Sequence, residues 1–282
     1  MTKTETIIRG VFGIIAMLAI CYAFSSNRKK INYSLVVKGI LIQIIFAICI
    51  LKVPFVASFF QAISDSFLAI LNVTKDGAVF LFGEALVQDY NIATLDENGI
   101  MKFKNLGAVF AFQILPTIVF FSALTGVLFY LGILQKIVYV FAVIMQKTLK
   151  LSGAESLAAA GNIFLGQTES PLLIKPYISK MTQSELLCLM GGGMATIAGG
   201  VFIAFTIFLG EEFAPHLLAA SVMSAPAAVV ACKILIPETQ ETNKKMIISS
   251  QNFGSNIFDS IALGTIQGVT LAFNVGAMLL VF

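Results

Sequence analysis

The chain has 282 residues, 58% of them hydrophobic and 12% charged. A soluble domain carries about 25% charged residues, and a water-soluble chain of this size cannot bury so much apolar surface, so the solvent is lipid. The net charge of +3 is small, and the basic residues stand in short clusters between apolar runs, which fits membrane topology and excludes the basic stripe of a nucleic-acid binder.

In chain order, residues 7–24 form an apolar run of about 18 residues, longer than the about 7–15 of a signal peptide, and are read as a first transmembrane helix. Arg28, Lys29 and Lys30 follow. Loops rich in Lys and Arg face the cytoplasm, which puts the N-terminus outside. Residues 33–51 are the second span. In residues 54–71, Phe55, Val56, Phe59, Phe60, Ile63, Phe67, Ile70 and Leu71 share one helical face, while Ser58, Gln61, Ser64 and Asp65 do not. That pattern predicts an amphipathic helix lying at an interface or against another helix. Residues 89–104 are polar, with Asp96-Glu97-Asn98-Gly99 as a turn signal, and are expected as an outside loop.

Residues 106–134 are the third span. Pro116 inside it marks a kink, or the joint between a short helix and the span proper. Lys136, Lys147 and Lys150 bracket an amphipathic segment placed at the inner interface. After an interrupted stretch at about 155–180, residues 183–210 and 215–235 read as further spans. The segment from Pro237 to Lys245 is a charged inner loop. A last apolar run, 257–282, ends without a polar cap, as expected if a second half or a partner completes it. Cys21, Cys49, Cys188 and Cys232 lie within apolar runs with no metal-ligand spacing, so they are read as small hydrophobes. His216 is the sole histidine and cannot build a zinc site.

The interrupted stretch carries the chemistry. It has about 10 apolar residues before Gln167 and about 10 after Glu169, and neither half can cross a core of about 30 Å at about 1.5 Å per residue. Pro171 removes a backbone donor and disfavours helix at Ser170. Lys150, Lys175 and Lys180 put both outer ends in the same water phase. The expected structure is a re-entrant helical hairpin with Gln167, Thr168 and Glu169 at its tip. Such a tip offers free N–H and C=O groups to a ligand, and a carboxylate at that depth needs a partner or a function. The other reading is a polar loop between two surface helices. The glycines of residues 191–200 also leave two readings open: close approach between helices, or a helix break near Met194–Gly200 that exposes carbonyls to an ion. No P-loop, HExxH or nucleophile-elbow motif is present, so the chain is not read as an enzyme.

The segment GNIFLGQTESP, residues 161–171, resembles the first-hairpin signature of the concentrative nucleoside transporters. QILPTIVFFSAL at 113–124, MQKT at 145–148, SGAES at 152–156, residues 190–201, PET at 237–239 and NVGAML at 274–279 are similar to the same family. The likeness covers essentially the whole chain and is greatest to the bacterial permease type.

The resemblance implies an all-α polytopic membrane protein of the elevator type, with transmembrane helices, interfacial helices and a re-entrant hairpin. It implies a cation-coupled (Na+ or H+) nucleoside symporter in the bacterial inner membrane, assembled as a homotrimer, with no cofactor. Carried over by position, Gln167, Thr168, Glu169 and Val201 would meet the nucleobase, and Asn162, Leu165, Thr196 and Ile197 would form a Na+ site. Members of the family run on through a second hairpin that holds the ribose, so this chain is expected to lack the C-terminal repeat. The expected division is a scaffold-type part at 1–134, a transport-type part at 135–240 with the hairpin at about 155–180, and a connecting segment with a last helix at 241–282. The alternatives are a facilitative pore for small polar solutes and a non-transporting membrane scaffold.

Overall fold

The computed structural model describes residues 3–87, 91–95, 101–105, 109–167, 170–246 and 254–282. In chain order the helices are α1 (Lys3–Ala23), α2 (Tyr33–Lys52), α3 (Pro54–Phe82) and α4 (Glu84–Val87). Two strands follow, β1 (Asn91–Leu95) and β2 (Met101–Asn105), then α5 (Phe110–Gln113), α6 (Leu115–Tyr130) and α7 (Ile133–Leu149). The rest of the chain forms α8 (Gly153–Phe164), α9 (Ser170–Leu173), α10 (Lys175–Ile178), α11 (Gln183–Ala195), α12 (Gly199–Leu209), α13 (Ala214–Leu235) and α14 (Ile257–Val281).

Among the described residues, five helical segments are long and apolar enough to cross a membrane: Tyr33–Lys52, Pro54–Phe82, Phe110–Tyr130, Glu211–Leu235 and Ile257–Val281. Phe12, Phe80 and Phe273 are among many large apolar side chains left exposed, as a lipid solvent allows.

The structure departs from the sequence expectations at three places and decides between two readings at a fourth. The helix beginning at Pro54 does not stop near residue 71 but runs 29 residues to Phe82. Thr74 satisfies its hydroxyl on the Ile70 carbonyl, so a polar residue there does not break the helix. The polar segment expected as a loop carries an antiparallel pair, with Asn91 opposite Asn105 and Leu95 opposite Met101; its expected turn at residues 96–99 lies outside the described residues. Of the two readings of Pro116, the joint between a short helix and the span proper holds. Ile114 separates α5 from α6, and Pro116 sits in the first turn of α6, where its missing N–H costs nothing. Lastly, residues 183–210 are not one span but two helices, α11 and α12.

The chain divides into two compact units that cut across the blocks 1–134, 135–240 and 241–282. One unit holds α1, α2, α7–α11 and the later part of α13. The other holds α3–α6, α12, the start of α13 and α14.

In the second unit α6 and α14 form a close pair. The buried stripe of α14 is Ser260, Gly264, Gly268 and Ala272, four residues apart each time. A methyl group at Gly268 would stand 2.8 Å from the Val119 Cα, and one at Gly264 2.7 Å from the Ser122 carbonyl. Small residues let two backbones approach closely, which replaces the hydrophobic drive that lipid cannot supply. Ile114, Ile118, Ala204 and Ala272 complete this core.

In the first unit, α8 and α11 begin alike. Ser152 caps α8 in a reciprocal box with Glu155, and Thr182 caps α11 in the same way with Glu185. Lys233, in the last turn of α13, joins these ends. Its ammonium pairs with Glu155 Oε1. It also donates to Ser184 Oγ at 2.9 Å and to Glu238 Oε2 at 3.5 Å. Glu155 Oε2 meanwhile accepts the Ser152 N–H at 3.1 Å.

Lys233→Met leaves Glu155 buried without a counter-charge, and a loss of about 3–5 kcal/mol is expected. Glu155→Gln keeps the capping box, because Gln serves at that position as Glu does. The double variant Lys233→Met/Glu155→Gln is therefore expected to melt higher in detergent than Lys233→Met alone. Equal melting temperatures would show that no buried-charge penalty exists. A pH effect follows from Glu238. Burial opposes its charge, but the Thr182 hydroxyl, the Gln240 and Thr239 amides and the Lys233 ammonium outweigh burial and hold the carboxyl below its ordinary value. Its folded value is the lower one, so the stability it contributes is present at neutral pH and lost as the pH falls below the ordinary glutamate range. Glu238→Gln is expected to narrow the gap in melting temperature between neutral and acidic pH.

Candidate functional site

The site grows from two helices that stop inside the first unit. α8 runs from its capping box through Leu157, Ala158, Ala159 and Ala160, all buried. Its last turn faces α9. A methyl at Gly161 would meet Leu173 Cδ1 at 3.0 Å and Ser170 Oγ at 3.1 Å. Ser170 Oγ donates across to the Ala158 carbonyl at 3.3 Å. The two limbs therefore form a helical hairpin, with a return limb that is itself divided at Ile174 between α9 and α10.

α8 ends because Leu165 is extended, with φ −104° and ψ 152°, while its N–H still bonds the Gly161 carbonyl. α11 ends in the same way. Thr196 has φ −108° and ψ 156°, and its N–H bonds the Gly192 carbonyl. The Thr196 hydroxyl reaches that carbonyl too, at 2.8 Å. Each helix thus starts on a reciprocal capping box and terminates on an extended residue, and each termination frees backbone carbonyls. Of the two readings of the glycine run, both hold. Gly191, Gly192 and Gly193 are close-approach positions, and the helix breaks a few residues later.

Asn162 lies between the two helices and is fully buried. Its Nδ2 donates to the Leu189 carbonyl at 3.4 Å. Its Oδ1 is buried with no hydrogen-bond partner. Gly192 makes room for this side chain, since a methyl there would stand 2.5 Å from Asn162 Nδ2. A methyl at Gly193 would stand 2.7 Å from Gln167 Cβ and 3.7 Å from Asn162 Oδ1. So α11 packs against both Asn162 and the exposed Gln167. From α13, Ser221 Oγ donates to the Ile163 carbonyl at 3.1 Å and to the Ile197 carbonyl at 3.4 Å.

Among the residues named from the sequence, Asn162, Leu165, Thr196 and Ile197 lie at the two breaks of one compact unit, and Gln167 packs beside them. Val201 is half-buried on α12, in the other unit. Thr168 and Glu169 lie outside the described residues. Sequence reasoning missed Ser221 and Lys233. Ser221 had one signal, a small polar residue inside an apolar span. Among the described residues no group of three or more His, Cys, Asp and Glu side chains is placed to hold a metal ion. The oxygens gathered at the breaks are neutral amide, hydroxyl and carbonyl oxygens, a donor set suited to a hard cation.

The chain matches three family models in succession. These are described as Na+ dependent nucleoside transporter N-terminus over residues 12–85, nucleoside recognition over 111–212, and Na+ dependent nucleoside transporter C-terminus over 216–282. It is 39% identical over 278 residues to an uncharacterized transporter of Haemophilus influenzae, covering 98% of this chain and 63% of that protein. It is 35% identical to the nucleoside permease NupC of Helicobacter pylori, covering 96% of this chain and 62% of that protein. A solved structure, CNTnw in an inward-facing substrate-bound state, superposes with a TM-score of 0.83 at 35% identity, over 98% of this chain and 62% of that one. The chain thus spans a little under two thirds of the length of these relatives. The matched models describe transporters rather than enzymes, and the apolar helices and the bacterial permease relative make this a multi-pass inner-membrane protein. With the hairpin, the broken helix and three consecutive family models in agreement, the chain belongs to the concentrative, Na+ dependent nucleoside transporter family.

Proposed function

We propose that this chain is a cation-coupled nucleoside symporter, or the N-terminal portion of one. The observation that carries the proposal is the pair of helix breaks around Asn162, whose buried Oδ1 lacks a partner, while the Ile163 and Ile197 carbonyls, released from helical bonding, share the single hydroxyl of Ser221. Asn162, Leu165, Thr196 and Ile197 hold the coupling ion through neutral oxygens. These neutral oxygens suit Na+, whereas coupling to H+ would need a titratable group such as Glu169. Gln167, Thr168, Glu169 and Val201 meet the nucleobase. A carboxamide both donates and accepts, as a base edge requires, and a carboxylate accepts only. The likeness to a substrate-bound structure and to sodium/nucleoside cotransporters supports the same substrate class.

The hairpin and the broken helix belong to a transport part that moves against a scaffold, elevator fashion, within a homotrimer in the bilayer. In this reading the scaffold-type part is residues 1–134, the transport-type part residues 135–240, and residues 241–282 connect onward through the last helix.

Labelled uridine uptake into proteoliposomes tests this reading. Accumulation above the external concentration is expected under an inward Na+ gradient. Uptake that only equilibrates would instead identify a facilitative pore, and neither uptake nor nucleoside binding would identify a non-transporting scaffold. Glu169→Gln is expected to lower uptake by at least about ten-fold, the scale of a hydrogen bond to a charged group, while Lys175→Ala stays near wild type. Equal uptake by both variants would remove the tip from the base-binding role.

A further inference from the structure

A buried hydroxyl in the middle of an apolar helix ordinarily turns back onto its own backbone. Thr125 and Thr206 both do so, each donating to the carbonyl four residues earlier. Ser221 does not. Its Oγ leaves α13 and reaches two carbonyls of two other segments, Ile163 at 3.1 Å and Ile197 at 3.4 Å. Ser221 is 2% exposed, so water does not compete for the bond.

The two carbonyls are not arbitrary ones. In a helix continuing past Leu165, the Ile163 carbonyl would accept from the N–H four residues on, and the break removes that donor. Ile197 lies in the gap between α11 and α12, where its carbonyl has no helical partner. A hydroxyl carries one proton. It can fully satisfy only one of these carbonyls and shares itself weakly with the second. Together with the unpartnered Oδ1 of the fully buried Asn162, the arrangement leaves acceptor oxygens in excess of donors. An excess of buried acceptors is costly by itself and favourable around a cation.

We propose that Ser221 is a positioning residue of the cation site: by holding the Ile163 and Ile197 carbonyls to one hydroxyl, it fixes the spacing of the two helix breaks and so sets the affinity and size selectivity for the ion. The inference rests on the reading of the breaks as a cation site. It adds a third element, α13, to a site otherwise built from α8 and α11.

The test is thermal unfolding of the purified chain in detergent, titrated with NaCl, LiCl or KCl at constant ionic strength. An ion that binds the folded state raises the melting temperature with a concentration dependence that reports its affinity. Wild type is expected to respond to Na+ more than to K+. Ser221→Ala is expected to raise the half-effective Na+ concentration about five-fold, the worth of one hydrogen bond, and to narrow the difference between Na+ and K+. Ser221→Thr, which keeps the hydroxyl, is expected to restore part of the discrimination. A purely structural role would lower the melting temperature equally in every salt and leave the half-effective concentration unchanged, and that result overturns the proposal. Should Ser221→Ala fail to fold, Ser221→Cys, similar in size but a weak donor, makes the same comparison. Asn162→Ala and Thr196→Ala separate the two ideas. Loss of the Na+ response in these variants with none in Ser221→Ala leaves the cation site standing and removes Ser221 from it. A wild type with no ion-specific response removes both.

Discussion

The ammonium group of Lys233 stands among Glu155, Ser184 and Glu238, and each of those partners also serves a helix end. Glu155 closes the capping box of α8. Ser184 donates to the Ile236 carbonyl just past α13. Glu238 accepts the hydroxyl of Thr182, the cap of α11. A buried charge survives only when paired and hydrogen-bonded, so the cation and its acceptors must stay together. The starts of α8 and α11 are thereby tied to the end of α13. Since a helix is a rod of fixed rise per residue, tying one end also fixes where the other end stops.

What stops there is the functional material. α8 and α11 both end on an extended residue, Leu165 buried and Thr196 half-buried, and each end frees backbone carbonyls. Leaving such a group unpaired costs about 1–3 kcal/mol. The chain meets part of this cost with one of its own side chains: Ser221 reaches across from α13 to the Ile163 and Ile197 carbonyls. It leaves Asn162 Oδ1 unmet. Close packing makes the arrangement possible, because Gly192 and Gly193 remove the side chains that would otherwise strike Asn162 and Gln167.

The second unit solves a different problem. Its α6 and α14 carry no charge network; they hold together by the fit of Gly264 and Gly268 against the backbone of α6. Packing of this sort is rigid and insensitive to charge, which suits a supporting element. Phe67, set 5.1 Å from Phe202 and 6.1 Å from Phe121, packs α3 onto α12 and α6 in the same unit.

The membrane setting and the hairpin were legible in the chain itself, because each depends on local facts: run length, and a proline after a polar cluster. The motif GNIFLGQTESP carried the family. Period-two alternation in Met101-Lys102-Phe103-Lys104 was a readable strand signal that the polar composition of the loop masked. Other features were decided only by tertiary structure. Residues 183–210 are apolar enough to read as one helix, and the glycine run left close approach and a break as alternatives; the folded chain places the break at Thr196. The length of α3 depends on neighbours that bury Thr74 and Ala78. The partnership of Glu155 with Lys233, and that of Ser221 with two carbonyls, joins residues far apart in sequence. Local propensity and periodicity report what each segment prefers alone; which buried donor meets which buried acceptor is settled when the segments pack.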